Sequence, residues 1–294
     1  MTNGQIATAE CVWPLGARLG EGPTWNAATG ELWFVDIHAG QVHALHPASG
    51  TRRSFTAPES TAFIFPCVGG GYLCGLRSGL FHFDPLGGKF ERRVRVDAEH
   101  PGNRLNDGYV DAAGRLWFGT MDDAARQPSG SLYRYDGTRL ERMDSGYVIT
   151  NGPAMSPDGR VLYHVETQGR RMYAFDVDAS GALSGKREFL AIDEPGVYPD
   201  GPVVDTLGNI WLSLYGGWGV RCYNPQGKLL RKLELPVARC TKVAFGGPAL
   251  STLYITTAAG GLSAEELAQQ PLAGGLFRAQ MDVAGLQSHV FAGW

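Results

Sequence analysis

The sequence predicts an all-β fold, a six-bladed β-propeller with its ring closed by an N-terminal strand. Three observations carry that prediction. Glycine and proline are abundant, 41 and 17 of 294 residues, which divides a chain into short strands and tight turns rather than long helices. Short aromatic or aliphatic strands recur at nearly constant spacing. Each is followed by a second, alternating strand that runs into turn chemistry, and six such units occupy nearly the whole chain.

In chain order the recurrent strands are Leu32-Trp33-Phe34-Val35, Tyr72-Leu73-Cys74-Gly75, Leu116-Trp117-Phe118-Gly119, Leu162-Tyr163-His164-Val165, Ile210-Trp211-Leu212-Ser213 and Leu253-Tyr254-Ile255-Thr256. Anchored on Trp33, Leu73, Trp117, Tyr163, Trp211 and Tyr254, their spacings are 40, 44, 46, 48 and 43. A period in the forties with four strands per unit is a propeller repeat. The partner strands, among them Val42-His43-Ala44-Leu45 and Leu132-Tyr133-Arg134-Tyr135, alternate with period two. They lead into turns such as Asp84-Pro85, Asp136-Gly137 and Asn224-Pro225. Cys11-Val12-Trp13-Pro14-Leu15 belongs to no complete unit and is expected to pair with the last blade, hiding sheet edges. One helical turn is expected at 262–269, with Ser263 capping Ala264-Glu265-Glu266-Leu267. No linker or low-complexity tract divides the chain, so residues 1–294 read as one domain.

Composition narrows the function classes. Apolar residues make up 44% and the net charge is −3, from 26 Lys and Arg against 29 Asp and Glu. No basic stripe points to nucleic acid. The five cysteines, Cys11, Cys67, Cys74, Cys222 and Cys240, are odd in number and form no CxxC pair. They read as buried thiols of a reducing compartment. Met1-Thr2-Asn3-Gly4-Gln5 lacks a signal peptide's basic segment and apolar run. The uncharged run 60–76 contains Pro66 and Gly69-Gly70-Gly71 and falls short of the ~20 apolar residues of a membrane span. It reads as two strands joined by a glycine turn. A soluble cytoplasmic protein without membrane partners is expected. It is also expected to be a monomer, because a closed ring leaves few sheet edges to pair.

Three tripeptides stand out: Glu21-Gly22-Pro23, Asn151-Gly152-Pro153 and Asp200-Gly201-Pro202, with Asn106-Asp107-Gly108 as a close variant. Glu21 lies 12 residues before Trp33, Asn106 11 before Trp117, Asn151 12 before Tyr163 and Asp200 11 before Trp211. Four units therefore place an oxygen-bearing side chain near the start of the strand expected to line the central channel. The second unit is apolar there, around Ala62-Phe63-Ile64, and the sixth offers Thr241 and Lys242. Taken singly, each tripeptide is an ordinary turn; their equivalence brings them to one mouth. Two carboxylates and two amides buried without partners are costly, and a divalent cation removes that cost. The ligands are hard oxygens, suited to Ca²⁺, Mg²⁺ or Mn²⁺, with Zn²⁺ or Fe²⁺ possible. So few protein ligands leave coordination positions open for water and substrate.

Other chemistries lack their motifs: there is no GxSxG, HExxH or GxxxxGK[ST]. His43, His46 and His82 read as structural, and His164 as a packing residue nearer the mouth. Tyr215 and Trp218, in a Gly-rich loop on the mouth side, either wall a substrate pocket or cover the blade tops.

At these residues the chain resembles the senescence marker protein 30/gluconolactonase/luciferin-regenerating-enzyme family, which includes the regucalcins. The resemblance spans the chain. Its motifs are Leu19-Gly20-Glu21-Gly22-Pro23, Arg104-Leu105-Asn106-Asp107-Gly108 with Asp111 and Gly114-Arg115, Gly119-Thr120-Met121, Thr150-Asn151-Gly152, Pro199-Asp200-Gly201, Phe245-Gly246-Gly247 and Ala273-Gly274-Gly275-Leu276-Phe277. The resemblance implies a six-bladed propeller with one catalytic divalent metal, and hydrolysis of a sugar lactone. It implies Glu21, Asn151 and Asp200 as metal ligands, and Arg104 and Asn106 as substrate contacts. Within the family the chain looks most like bacterial aldonolactonases of the xylonolactonase and arabinonolactonase kind, so a pentonolactone is the expected substrate. On that mechanism Asp200 also serves as the catalytic base. Some relatives carry an acidic substrate contact a few residues after Gly-Thr-Met. Here Asp122-Asp123 is followed by Ala124-Ala125, so that contact is not assigned. Two other expectations of a different class are a calcium-binding, regucalcin-like protein without turnover and an esterase or organophosphate hydrolase of the same superfamily.

Overall fold

A computed structural model describes residues 8–294; the reading of Met1-Thr2-Asn3-Gly4-Gln5 lies outside them. Among the described residues the chain forms 24 strands and one short helix, an all-β, propeller-like architecture. Four sheets have four strands each, and a fifth has eight. In the eight-stranded sheet two four-strand runs meet where Gly201 pairs in parallel with Lys242. Six separate sheets were expected, and hydrogen bonding joins the strands into five. The first strand of each run faces inward. These inner strands are Gly20–Asn26, Thr61–Pro66, Asn103–Val110, Thr150–Met155, Tyr198–Val204 and Cys240–Gly246. Each packs on the next, and the last returns to the first, so they close around an axis. The N-terminal strand Glu10–Trp13 pairs antiparallel with Leu276–Gln280, as expected. Helix Ala264–Gln269 starts in a capping box: Ser263 accepts from the Glu266 amide, and Glu266 accepts from the Ser263 amide.

The recurrent aromatic anchors lie in the second strands, where they fill the space between neighbouring sheets. Trp33, Trp117 and Trp211 are fully buried. Trp117 donates its indole N–H to Asp111 at 2.8 Å and Trp211 donates to Asp205 at 2.9 Å. The same two aspartates take backbone N–H groups of the turn ahead of the strand, those of Ala113 and Arg115 and those of Leu207 and Asn209. One carboxylate thus closes the turn and fixes the tryptophan six residues on. That is the physical content of the repeat Asp-x-x-Gly-x-(Leu/Ile)-Trp. Residues 60–76 form the strands Thr61–Pro66 and Tyr72–Leu76 around the glycine turn. No helix among the described residues is long and apolar enough to cross a membrane. All five cysteines are free; four are buried and Cys11 is half-buried.

Candidate active site

The inner strands share one irregularity. In each, the pairing with its second strand slips by a residue or more: between Glu21 and Thr24, Thr61 and Phe63, Leu105 and Gly108, Asn151 and Ala154, Pro199 and Pro202, and Cys240 and Val243. A bulge of this kind re-aims the side chains at its edge. Here it aims Glu21, Asn106, Asn151 and Asp200 into one cleft of about 380 Å³ at the end of the axis. All four are buried, between 3% and 6% exposed, as is Arg104. The structure therefore brings together the five residues expected to hold metal or substrate: Glu21, Arg104, Asn106, Asn151 and Asp200.

A chain of hydrogen bonds sets their orientation. Arg104 donates Nε to Asp123 at 2.9 Å and Nη1 to Asn106 Oδ1 at 2.6 Å. Asn106 Nδ2 donates to Asn151 Oδ1 at 3.0 Å and to the Thr150 carbonyl at 2.6 Å. Asn151 Nδ2 donates to Thr167 Oγ1, which donates to the Pro199 carbonyl, both at 2.9 Å. The Asn151 amide is thereby held with its oxygen toward the cleft. Glu21 Oε2 accepts the Gly22 amide at 2.9 Å. Asp200 Oδ1 is buried and has no partner among the described residues.

The electrostatics are unbalanced. Asp107 and Glu21 stand close enough to Asp200, and Asp107 to Glu21, to raise the proton affinity of Glu21 and Asp200, and one ammonium, Lys242, opposes this. With all three ionised, three carboxylates against one ammonium would leave two negative charges. Burial, then Asp107, pushes the Glu21 carboxyl up to about 8. Burial, then Glu21 and Asp107, lifts Asp200 well above the ordinary carboxylate range. Arg104 and Asp123 pair with each other and cancel. The donor set of two carboxylates and an amide oxygen, the orphaned Asp200 Oδ1 and the twofold charge deficit of the ionised set all fit a hard divalent cation. Among the described residues no three His, Cys, Asp or Glu side chains form a metal cluster; the third oxygen here comes from an amide.

Four contributors have no role assigned from the sequence. Asp123 lines the cleft and holds Arg104; its signal was its place two residues after Gly119-Thr120-Met121. Asp107 and Lys242 form a buried ion pair below the mouth. Thr167 orients Asn151 and carried no signal. Tyr215 lines the cleft, whereas Trp218 lines a separate groove with Arg221 and Glu234. His164 is packed edge-on against Tyr147, ring centroids 4.8 Å apart, with neither nitrogen bonded, and burial lowers its pKa to about 3.

Fold and mouth define the class: a β-propeller-like protein with a carboxylate-and-amide pocket at one end of its axis. Residues 19–259 match the SMP-30/Gluconolactonase/LRE-like region model. The chain is 36% identical to 6-deoxy-6-sulfogluconolactonase of Pseudomonas putida, over 97% of this chain and 99% of that one. It is 35% identical to L-arabinolactonase of Azospirillum brasilense, over 94% and 92%. The solved structure of a calcium-binding protein, regucalcin, from Agrobacterium tumefaciens superposes with a TM-score of 0.93 at 29% identity, covering 97% of both chains. The chain belongs to the SMP-30/gluconolactonase/LRE-like family.

Proposed function

We propose that the protein is a metal-dependent lactonase that opens a sugar lactone to its aldonic acid, favouring pentonolactones such as D-xylonolactone or L-arabinonolactone. One observation carries this: two buried carboxylates, Glu21 and Asp200, share an open cleft with an arginine and with asparagine amides, and Asp200 Oδ1 has no partner among the described residues. Relatives named for a pentose lactone and for a six-carbon lactone match at like identity. The sugar-lactone class is thus better supported than any one sugar. The six inner strands also support counting the eight-stranded sheet as two blades joined at Gly201–Lys242, six in all. A closed ring of this kind favours a monomer.

Glu21, Asn151 and Asp200 would hold one divalent ion: Ca²⁺, Mg²⁺, Mn²⁺, Zn²⁺ or Fe²⁺. When bound, the ion supplies Lewis-acid polarisation of the lactone carbonyl and a positive charge beside the oxygen that turns negative. Asp200 takes a proton from the attacking water as the water oxygen bonds to the carbonyl carbon. The ring C–O bond then breaks, and the proton passes to the departing ring oxygen. Arg104 and Asn106 bind sugar hydroxyls. Among the described residues the protein engages Arg104 Nε and Nη1, which leaves Nη2 to the cleft.

The test is acid release from a panel of aldonolactones and aryl esters, with and without chelator. Lactone turnover that chelation abolishes and a divalent ion restores is the expected result. Metal binding without turnover of any substrate identifies a binding protein instead, and turnover confined to aryl esters identifies a different hydrolase.

A further inference from the structure

We propose that the buried Asp107–Lys242 pair is the positioning element of the mouth, tying together the residues that follow Asn106, Asn151 and Asp200. This rests on the metal-site reading above. Asp107 is fully buried and Lys242 nearly so. Asp107 Oδ1 accepts from the Gly108 amide at 2.7 Å and from Lys242 Nζ. Its Oδ2 accepts from the amide of Gly152, the residue after Asn151, at 2.7 Å. Lys242 Nζ also donates to the Gly108 carbonyl at 3.1 Å. The lysine backbone pairs with Gly201, the residue after Asp200. Its side chain runs so close over Gly201 that a Cβ there would stand 2.5 Å from Lys242 Cγ.

The bulges explain why such a pair is placed here. A bulge removes ladder partners from the backbone groups it contains, and buried backbone groups must find others. Asp107 supplies acceptors for two of the amides, and Lys242 a donor for a carbonyl. A carboxylate this deep needs a counter-charge, and Lys242 provides it from the inner strand on the opposite side of the ring. The pair therefore fixes three of the four mouth bulges relative to one another. It does so without entering the cleft, since neither residue lines it.

The test compares wild type with Lys242→Met, Asp107→Asn and the double variant. Mn²⁺ alone is the probe, titrated calorimetrically, and circular dichroism reports the folded fraction. The double variant decides the question, because it preserves the net charge of the mouth and leaves no buried ion unpaired. Positioning predicts that the double variant folds and binds Mn²⁺ at least tenfold more weakly. It also predicts a tenfold lower kcat at saturating Mn²⁺, with KM for the lactone within about threefold of wild type. Mn²⁺ binding within twofold of wild type in the double variant, with either single variant shifted, shows a role in charge alone and overturns the proposal. A wild type that binds no divalent ion refutes the metal site itself, and the positioning role falls with it.

Discussion

Stripping the divalent ion should turn the mouth into a proton-binding site, and metal binding should expel those protons. Glu21 has an ordinary value of 4.5 and is held at about 8 by burial and by Asp107. The metal-free protein therefore carries a proton there below about pH 8. One displaced proton makes affinity rise about tenfold per pH unit, hence about a hundredfold for Mn²⁺ between pH 6 and pH 8. Asp200, shifted in the same direction, steepens the slope, and the two titrate as a pair. Stability follows with a definite sign. A folded pKa raised above the unfolded value stabilises fully below about pH 4.5, and this contribution is lost as pH rises through about 8. At about 1.4 kcal/mol per unit, the Glu21 shift sets a ceiling of ~5 kcal/mol. Chelated protein should therefore lose thermal stability from pH 5 to pH 8, and Mn²⁺-loaded protein should not. Calorimetry at pH 6.5 in two buffers of different ionisation enthalpy counts the protons: about one released per Mn²⁺ or more, and fewer in Glu21→Gln. A pH-independent affinity with no proton release would mean that both carboxylates are ionised without the ion, and the burial reasoning would fail.

Three further outcomes follow from the same geometry. Asp200→Asn at full metal load should lower kcat by a factor on the order of 10²–10⁴ in a steady-state lactone assay; wild-type turnover would remove Asp200 as the base. Arg104→Gln should raise KM for the lactone by about 10- to 100-fold, the worth of a hydrogen bond from a charged donor. Its Mn²⁺ affinity should stay within about twofold, and a parallel loss of metal binding would show that Arg104 acts through Asn106 rather than on substrate. Gly152→Ala forces a Cβ onto a residue at φ +77°, which costs about 1–3 kcal/mol and should lower the melting temperature by several degrees.

The site was legible in the sequence as far as the bulge allows. Its period rests on second strands such as Leu116–Asp122, whose tryptophan anchors are fixed by aspartates six residues earlier. Counting back 11 or 12 residues therefore found the mouth. It could not say where adjacent side chains point. In a regular strand Asn106 and Asp107 would face opposite sides. The slip between Leu105 and Gly108 breaks that alternation, and both reach across to the next inner strand, to Asn151 and to Gly152. Asp123 meets Arg104 across a gap of 19 residues, and Lys242 meets Asp107 across 135; no local spacing encodes either contact.

The glycines beside the mouth residues, Gly22, Gly108, Gly152 and Gly201, show how one pattern can have several causes. Gly22 and Gly152 sit at φ +54° and +77°, where only glycine is unstrained. Gly108 has ordinary backbone, but the Phe63 ring lies 3.2 Å from where its Cβ would be. That ring comes from the inner strand Thr61–Pro66, which is apolar at Ala62-Phe63-Ile64. Gly201 has ordinary backbone as well, and it is glycine because Lys242 passes over it. A methyl group there would push the lysine off its path to Asp107 and strand a buried carboxylate. The Asp-Gly that marks Asp200 in the sequence is thus also the imprint of the ion pair beneath it.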